Sequence, residues 1–342
     1  MPEPQVTDLR DRKAEHLRLA LEAGMQHGGN FFDDWSFEHD ALPELDAREI
    51  DTGVEFLGKR LAAPLLISSM TGGTPAAARI NRHLALAAER QRLAMGVGSQ
   101  RRALEDPRQA ATFQVREVAP TAPLLANLGA VQLNYGYGVA QCVAAVEMIG
   151  ADALVLHLNP LQEALQPEGQ GDFRGLLAKI GEVARALPVP LIVKEVGCGL
   201  SRAAGERLLA QGVRILDTAG LGGTSWARIE ARRGGDAPRG ELFADWGIPT
   251  PESIRALASL PEVTVIGSGG VRNGVDAAKA LALGAHLVGI AQPLLAAAME
   301  SAEAVEARLA ALLDELRICM FCVGARTIEA LRRTPIALRR RR

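Results

Sequence analysis

The sequence predicts an α/β fold, a single-domain (β/α)8 TIM barrel with an N-terminal helical extension. Eight short apolar segments recur along the chain, helical patterns lie between most of them, and their apolar residues do not alternate with polar ones. Such segments suit a parallel sheet that is covered on both faces, and strands alternating with helices favour a closed barrel. An open doubly wound sheet is the alternative, but no Gly-rich dinucleotide fingerprint follows the first strand.

The predicted elements follow one another regularly after the first sixty residues. The strands cover residues 64–70, 94–99, 123–129, 153–159, 190–197, 215–220, 263–269 and 287–292. Helices are predicted at 8–24, 76–90, 141–149, 176–187, 202–211, 251–260, 274–283 and 294–316, with a closing turn at 327–331. Thr250 is the predicted N-cap of the helix that starts at Pro251, because its hydroxyl can accept from a helix N–H.

Two parts of the chain lie outside this regular pattern. Residues 1–60 precede the first strand, and we predict that they form an extension covering the barrel within one domain of residues 1–342. Residues 222–249 separate the sixth strand from its helix and are rich in Gly, Arg and Asp. Long loops in compact domains are often lids, so we predict a mobile lid there.

Composition excludes several classes of function. Hydrophobic residues make up 48% of the chain and charged residues 23%, as in globular domains with a full core. A net charge of −2 gives no general attraction to nucleic acid. No apolar run reaches the ~20 residues of a membrane span, and the N-terminus lacks a signal-peptide pattern, so we expect a cytoplasmic protein without a membrane partner. Cys319 and Cys322 are predicted packing residues, because a metal site would need further ligands.

Polar side chains follow nearly every predicted strand. In barrels of this kind these ends meet at one rim, where catalytic groups lie. The fourth strand is the clearest case, since its buried run ends in His157, Asn159, Gln162 and Glu163 around a proline. Such an ending is costly unless a ligand or metal binds there, although a solvated strand end is the alternative.

A phosphate pocket is predicted after the seventh and eighth strands. Residues 267–273 read Gly-Ser-Gly-Gly-Val-Arg-Asn and open a helix, whose N-terminus favours anions. Arg272 adds donors, and Gln292 follows the eighth strand. Lys194, after the fifth strand, could pair with an electron-rich ring or form a salt bridge with Glu195 or Asp217.

The first helix carries Arg12, Lys13 and His16 on its polar side. Residues four apart share a helix face, so these donors could bind an oligo-anion together. A solvated cationic face is the alternative.

The chain resembles the type 2 isopentenyl-diphosphate isomerases, flavoenzymes of isoprenoid synthesis. Two motifs specific to that family are Arg12-Lys-Ala-Glu-His16 and His157-Leu-Asn-Pro-Leu-Gln-Glu163. Further matching segments are Ser68-Ser-Met-Thr-Gly-Gly73, Gly98-Ser-Gln-Arg101, Asn127-Leu-Gly129, Lys194-Glu-Val-Gly197, Gly222-Gly-Thr-Ser-Trp226, Gly267-Ser-Gly-Gly-Val-Arg272 and Ala291-Gln292.

The resemblance implies an isomerase that interconverts isopentenyl and dimethylallyl diphosphate with reduced FMN, Mg2+ and NADPH as reductant of the flavin, in a homo-oligomer (tetramer or octamer). The residues that would hold FMN are Ser68, Ser69, Met70, Thr71, Ser99, Asn127, Lys194, Thr224, Gly270, Val271, Arg272, Ala291 and Gln292. Those that would bind substrate are Arg12, Lys13, His16, Ser99, Gln100, Arg101, His157, Asn159 and Gln162. Glu163 would bind Mg2+, and Gln162 would act in catalysis by positioning the carbon skeleton or relaying a proton.

Two other classes share part of this pattern. An FMN-dependent oxidoreductase, such as a 2-hydroxy-acid oxidase or an enzyme similar to IMP dehydrogenase, would share the phosphate pocket. The second of these needs a nucleophilic Cys after the sixth strand, and residues 220–249 contain none. The remaining alternative is a non-catalytic barrel that binds a phosphorylated ligand, which a yellow purified protein would exclude.

Overall fold

The structure is a computed structural model that describes residues 9–22, 24–234 and 236–339, without the side chains of residues 9–12 and 14. The strands are β1 (Trp35–Phe37), β2 (Val54–Phe56), β3 (Lys59–Leu61), β4 (Leu65–Ile67), β5 (Ala94–Gly96), β6 (Leu124–Gly129), β7 (Ala153–His157), β8 (Leu191–Lys194), β9 (Ile215–Asp217), β10 (Thr264–Ser268), β11 (Leu287–Ile290) and β12 (Ile336–Leu338). The helices are α1 (Leu9–Ala20), α2 (Pro75–Gln91), α3 (Arg101–Glu105), α4 (Val139–Ile149), α5 (Pro160–Leu165), α6 (Leu176–Ala186), α7 (Arg202–Ala210), α8 (Trp226–Gly234), α9 (Ala237–Leu242), α10 (Thr250–Ala258), α11 (Gly274–Ala282), α12 (Gln292–Glu300), α13 (Ala302–Cys322) and α14 (Ile328–Arg333).

The predicted barrel is confirmed. Strands β4 to β11 pair in parallel in chain order, and β11 closes the ring on β4. Each predicted strand and helix is present, with bounds that differ by a few residues. The long helix predicted at 294–316 is two helices, because Ser301 interrupts it and its Oγ accepts from the N–H of Ala304 at 3.1 Å. The closing turn predicted at 327–331 is the helix α14.

Apolar side chains fill the interior of the barrel. Each of the eight strands contributes at least one, namely Leu66, Ala94, Leu125, Val155, Ile192, Ile215, Ile266 and Leu287. Phe56 and Leu61 of the antiparallel β2–β3 hairpin pack into the same cluster. The hairpin therefore plugs the barrel below the rim, and the space available to a ligand lies at the carboxyl ends of the strands.

The first sixty residues reach both ends of the barrel. At one side β1 pairs antiparallel with β12, with Ser36 opposite Ala337. At the rim, Gln26 and Thr224 form an antiparallel bridge, and the N–H of His27 donates to the carbonyl of Gly223 at 2.8 Å. This segment therefore lies directly against the loop that follows β9.

Residues 222–249, predicted as a mobile lid, contain the helices α8 and α9. Whether the segment moves stays a prediction. The predicted N-cap at Thr250 is wrong, because Pro249 takes the cap position and Thr250 is the first helical residue. The Thr250 hydroxyl instead lies 3.1 Å from the carbonyl oxygen of Leu221 and 3.2 Å from that of Ser268, so it joins the start of α10 to the segment after β9 and to β10.

Within the part of the chain that the structure describes, no helix has the length and apolar character needed to cross a membrane.

Candidate active site

A cavity of about 640 Å³ opens at the carboxyl ends of the barrel strands. Ligand sites typically occupy ~300–1,000 Å³. Each of the eight barrel strands, or the segment directly after it, contributes to its wall, and the N-terminal extension completes it. Every predicted site residue lines it except Arg12 and Gln100. The Arg12 side chain lies outside the described residues, whereas the buried Gln100 side chain bonds the carbonyl of Ala145 and the N–H of Asn127, at 2.8 and 3.0 Å, and so braces β6 against α4.

Two glycine-rich loops meet at one end of the cavity. Gly270 has a φ of +73°, and a Cβ at this position would overlap the carbonyl of Gly222. A Cβ on Gly223 would lie 2.8 Å from the Gly270 nitrogen. Asn30, from the N-terminal extension, donates to the Gly270 carbonyl. Bare backbone therefore forms this end of the cavity, close to the N-terminus of α11, an arrangement that favours phosphate.

Arg272 lines the same end of the cavity and is held by two carboxylates. Its Nε lies 2.8 Å from Oδ2 of Asp276, and its Nη2 lies 2.6 Å from Oδ1 of Asp33. Hydrogen bonds to Asp276 and then to Asp33 raise the pKa of Arg272. These pairs fix the guanidinium at the wall and tie the N-terminal extension to α11.

Lys194 lies in the middle of the cavity wall, in register between His157 and Asp217 on the neighbouring strands. It is only 8% exposed, and its Nζ donates to the backbone carbonyl of Glu195. Among the described residues, Lys194 forms no salt bridge with the carboxylate of Glu195 or of Asp217, so this predicted alternative is wrong. Burial raises the pKa of Glu195, although three backbone N–H groups bind its carboxylate, and burial also raises the pKa of Asp217.

A cluster of amides surrounds Glu163 at the start of α5. Its Oε1 accepts from Nδ2 of Asn159 at 2.9 Å, and its Oε2 accepts from the N–H of Gln170 at 2.7 Å and from Nε2 of Gln166. Because a carboxylate only accepts, Nδ2 of Asn159 must face Glu163. The Asn159 Oδ1 is then turned away, buried and without a hydrogen-bond donor among the described residues.

The described residues contain no group of three or more His, Cys, Asp or Glu side chains that could hold a metal ion on its own. A cation at Glu163 would therefore take most of its ligands from water or from a bound anion. Mg2+ commonly binds in this way, through one or two carboxylates together with substrate phosphates.

Gln162 connects this cluster to α8. Its Nε2 donates to Oε1 of Glu230 at 2.8 Å, and its Oε1 accepts from Nδ2 of Asn159 at 3.1 Å. Glu230 is fully buried, and it also pairs with His16, at 3.1 Å, and with Arg233. Burial alone would raise the pKa of Glu230, but His16, Gln162 and Arg233 together lower it to about 2. The ionised carboxylate therefore decides which way the Gln162 amide points.

His157 lies beside Lys194 and contacts Asn127, with 3.0 Å between Nδ1 and Oδ1. Burial, followed by the charges of Lys194 and Lys13, lowers the pKa of His157 to about 3. The imidazole is therefore neutral near pH 7, with one N–H and one lone pair.

Cationic side chains come to the cavity from α1 and α3. Lys13 donates to the carbonyl of Ser99 at 3.0 Å, and its Nζ lies 5.2 Å from the centroid of the Phe113 ring. His16 packs edge-on against Trp226, with 5.1 Å between ring centroids. Arg101 lines the same cavity. The cavity thus combines a glycine-walled end, a central lysine, a buried carboxylate and a cationic border.

The chain is similar over nearly its whole length to proteins named isopentenyl-diphosphate delta-isomerase. One from Synechococcus sp. is 54% identical over 333 residues, which cover 96% of each chain. One from Paracoccus zeaxanthinifaciens is 51% identical, with 96% of this chain and 98% of the relative covered. The family described as FMN-dependent dehydrogenase matches residues 18–158 and 176–338. The chain belongs to the isopentenyl-diphosphate delta-isomerases, within the FMN-dependent dehydrogenase family.

Solved structures share the fold of this isopentenyl-diphosphate isomerase family member at low sequence identity. A lactate oxidase of Pediococcus acidilactici has a TM-score of 0.66 at 18% identity, covering 91% of this chain and 85% of that one. A flavocytochrome b2 variant has a TM-score of 0.67 at 19% identity, covering 95% of this chain and 82% of that one. At this level of identity, these similarities show a shared fold and nothing about function.

Several residues of the site were not predicted from the sequence. Glu230, Gln166, Gln170 and Gln132 bind the side chains of predicted site residues or line the cavity. Glu230 lies in the segment predicted as a loop. A helical pattern from Trp226 to Arg233 was the signal available there, since it places Glu230 and Arg233, three residues apart, on one face.

Proposed function

We propose that the chain interconverts isopentenyl and dimethylallyl diphosphate by adding and removing protons, with FMN and Mg2+. One observation carries this proposal. The buried carboxylate of Glu163, held by amides, shares a cavity with Lys13, His16 and Arg101. This combination suits a diphosphate that is neutralised partly by a hard cation and partly by basic side chains.

The parts of the chain outside the dehydrogenase family match support the isomerase over an oxidoreductase. Residues 1–17 and 159–175 are left unmatched. They contain Lys13 and His16 at one place, and Asn159, Gln162 and Glu163 at the other. Five of the residues proposed to bind the magnesium diphosphate therefore lie outside the match, whereas Arg101 and His157 lie within it.

The residues present fit FMN. Because Gly223 and Gly270 lack Cβ atoms, the two loops pack backbone against backbone at this end of the cavity, where the nearby N-terminus of α11 would favour a phosphate. Oγ of Ser68 is buried, lines the cavity and has no hydrogen-bond partner among the described residues, as expected of a group that binds a ligand. The set that would hold FMN is Ser68, Ser69, Met70, Thr71, Ser99, Asn127, Lys194, Thr224, Gly270, Val271, Arg272, Ala291 and Gln292.

The residues at the end of β7 fit Mg2+. Glu163 supplies a charged oxygen, and Oδ1 of Asn159 supplies a buried oxygen to which no described residue donates. A diphosphate offers only acceptors, so Asn159 Oδ1 needs either a cation or a cation-bound water as its partner.

Reduced FMN supplies, when bound, the group that exchanges protons with the isoprenoid. Within the chain, Gln162 is held at both ends of its amide by Glu230 and Asn159. Gln162 would position the carbon skeleton or relay a proton, although an amide is a poor acid. Lys194 would lie against the flavin ring, and neutral His157 would donate or accept one hydrogen bond near the diphosphate.

Further parts of the proposal concern the protein in the cell. NADPH would reduce the flavin, the protein would be a homo-oligomer (tetramer or octamer), and it would act in the cytoplasm. Light scattering on the purified protein tests the assembly. Anaerobic mixing with NADPH, followed by loss of flavin absorbance, tests the reductant.

The test of the reaction uses FMN-loaded protein reduced with NADPH and supplied with isopentenyl diphosphate and Mg2+ in D2O. We expect dimethylallyl diphosphate to form over many turnovers, with deuterium in its new methyl group and no consumption of reduced flavin. Stoichiometric flavin oxidation by substrate would instead identify an oxidoreductase. Binding of the diphosphate without any deuterium entry would identify a non-catalytic barrel.

A further inference from the structure

We propose that Gln170 is a positioning residue for the magnesium diphosphate, a role that rests on the proposed function. Gln170 lies in the loop between α5 and α6, outside every motif noted in the sequence. It stands behind the cavity wall and contacts two groups that would bind opposite charges, Arg101 and Glu163.

The contacts of Gln170 are made by both its side chain and its backbone. Its Oε1 accepts from Nη1 of Arg101 at 3.2 Å and from Nε2 of Gln132 at 2.7 Å. Its N–H donates to Oε2 of Glu163 at 2.7 Å. Arg101, Gln132 and Glu163 all line the cavity. One residue thus sets the separation between the guanidinium and the carboxylate.

The Arg101 side chain is fixed at two points. Glu105 accepts from its Nε at 2.7 Å, and Gln170 accepts from its Nη1. The donors of Nη2 then remain for a phosphate oxygen. Glu105 already pairs with the guanidinium, so a neutral amide at Gln170 orients it without adding a second negative charge, whereas a carboxylate there would add one and repel the diphosphate.

The backbone contact depends on a tightly packed loop. A Cβ on Gly169 would overlap the carbonyl oxygen of Glu163, so the loop passes directly against α5. The bonds from Gln132 and Arg101 to the Gln170 side chain hold the loop in this place. Loss of that side chain should therefore disturb both the arginine and the N–H that reaches Glu163.

The experiment compares Gln170→Ala and Gln170→Glu with the wild type and with Gln114→Ala, a change of an exposed glutamine. FMN-loaded proteins are titrated with inorganic diphosphate in the presence of Mg2+ by calorimetry, and KM and kcat for isopentenyl diphosphate are measured. For Gln170→Ala we expect Kd and KM to rise about tenfold, the effect of losing one orienting hydrogen bond to a charged group, with kcat within about twofold. Gln170→Glu should bind diphosphate more weakly still, and Gln114→Ala should match the wild type.

FMN content and Tm are measured on every variant to separate positioning from folding. Unchanged Kd and KM in Gln170→Ala would overturn the inference, as would a parallel loss of FMN and of thermal stability. An inactive wild type would overturn the proposed function instead. The diphosphate titration would then still decide the role of Gln170, because it needs no turnover.

Discussion

The substitution Glu230→Gln tests the network that fixes Gln162. Glu230 is fully buried. Its Oε1 accepts from Nε2 of Gln162 and lies 3.1 Å from Nε2 of His16, and its Oε2 accepts from Arg233. Glutamine has the same shape but only one carbonyl oxygen. Its NH2 group must therefore face either Gln162 and His16 or Arg233, and each of these presents donors.

The expected loss of stability follows from this mismatch. Removing one partner from a buried ion pair costs about 3–5 kcal/mol. Arg233 keeps a second carboxylate, Glu168, at 3.0 Å, so we expect the lower end, about 3 kcal/mol. At roughly 2 °C per kcal/mol for a chain of this size, Tm should fall by about 6 °C.

The effect on activity follows from the orientation of Gln162. With no carboxylate to accept from its Nε2, the amide is free to turn, and we expect kcat to fall about 10²-fold, as for other misplaced groups. The assays are calorimetric melting and steady-state turnover, together with FMN content. The matched control is Glu168→Gln, which also removes a carboxylate from Arg233 but touches neither Gln162 nor the cavity.

Two results would refute this reasoning. A Glu230→Gln protein with wild-type kcat would show that Gln162 does not depend on the carboxylate. Equal losses of kcat in Glu230→Gln and Glu168→Gln would show that the effect passes through Arg233 instead.

Three further predictions concern the metal, the flavin and the pH dependence. Glu163→Gln should raise the Mg2+ concentration needed for half-maximal activity more than about tenfold, since an amide binds a hard cation poorly; an unchanged Mg2+ titration would argue against the assignment. Gly270→Ala should abolish FMN retention, because its Cβ would overlap Gly222; a yellow variant with wild-type FMN content would contradict this. The pKa of His157 falls from 6.5 to about 3 on folding, so the folded protein binds fewer protons in that window and stability should decline as pH falls through it; urea unfolding of His157→Asn should show a weaker decline.

The barrel was predictable because its signals are local. Each strand is a short apolar run, as in residues 124–129, where every residue is buried. Strand ends must meet at one rim once the barrel closes, so His157 and Lys194 were placed in one site from chain order alone. Residues 294–316 show the limit, because the helical pattern continues through Ser301 even though its hydroxyl caps a new helix.

The network around Gln162 was not predictable in the same way. Glu230 and Gln162 are 68 residues apart, and no local pattern in either segment indicates that their side chains form a hydrogen bond. Gln100 illustrates the opposite case, since it stands between two residues that line the cavity yet its side chain faces α4. Thr250 was misassigned as an N-cap because its hydroxyl donates to a carbonyl of β10. This is a tertiary contact, which the local sequence does not indicate.

The β2–β3 hairpin limits the routes by which ligands can enter and leave the cavity. Phe56 and Leu61 occupy the barrel beneath the cavity, so a ligand cannot pass through that end of the barrel. The proposed NADPH and the isoprenoid would then both enter through the opening at the carboxyl ends of the strands, and each would exclude the other. Saturating isopentenyl diphosphate should accordingly slow the bleaching of the flavin by NADPH in a competitive manner.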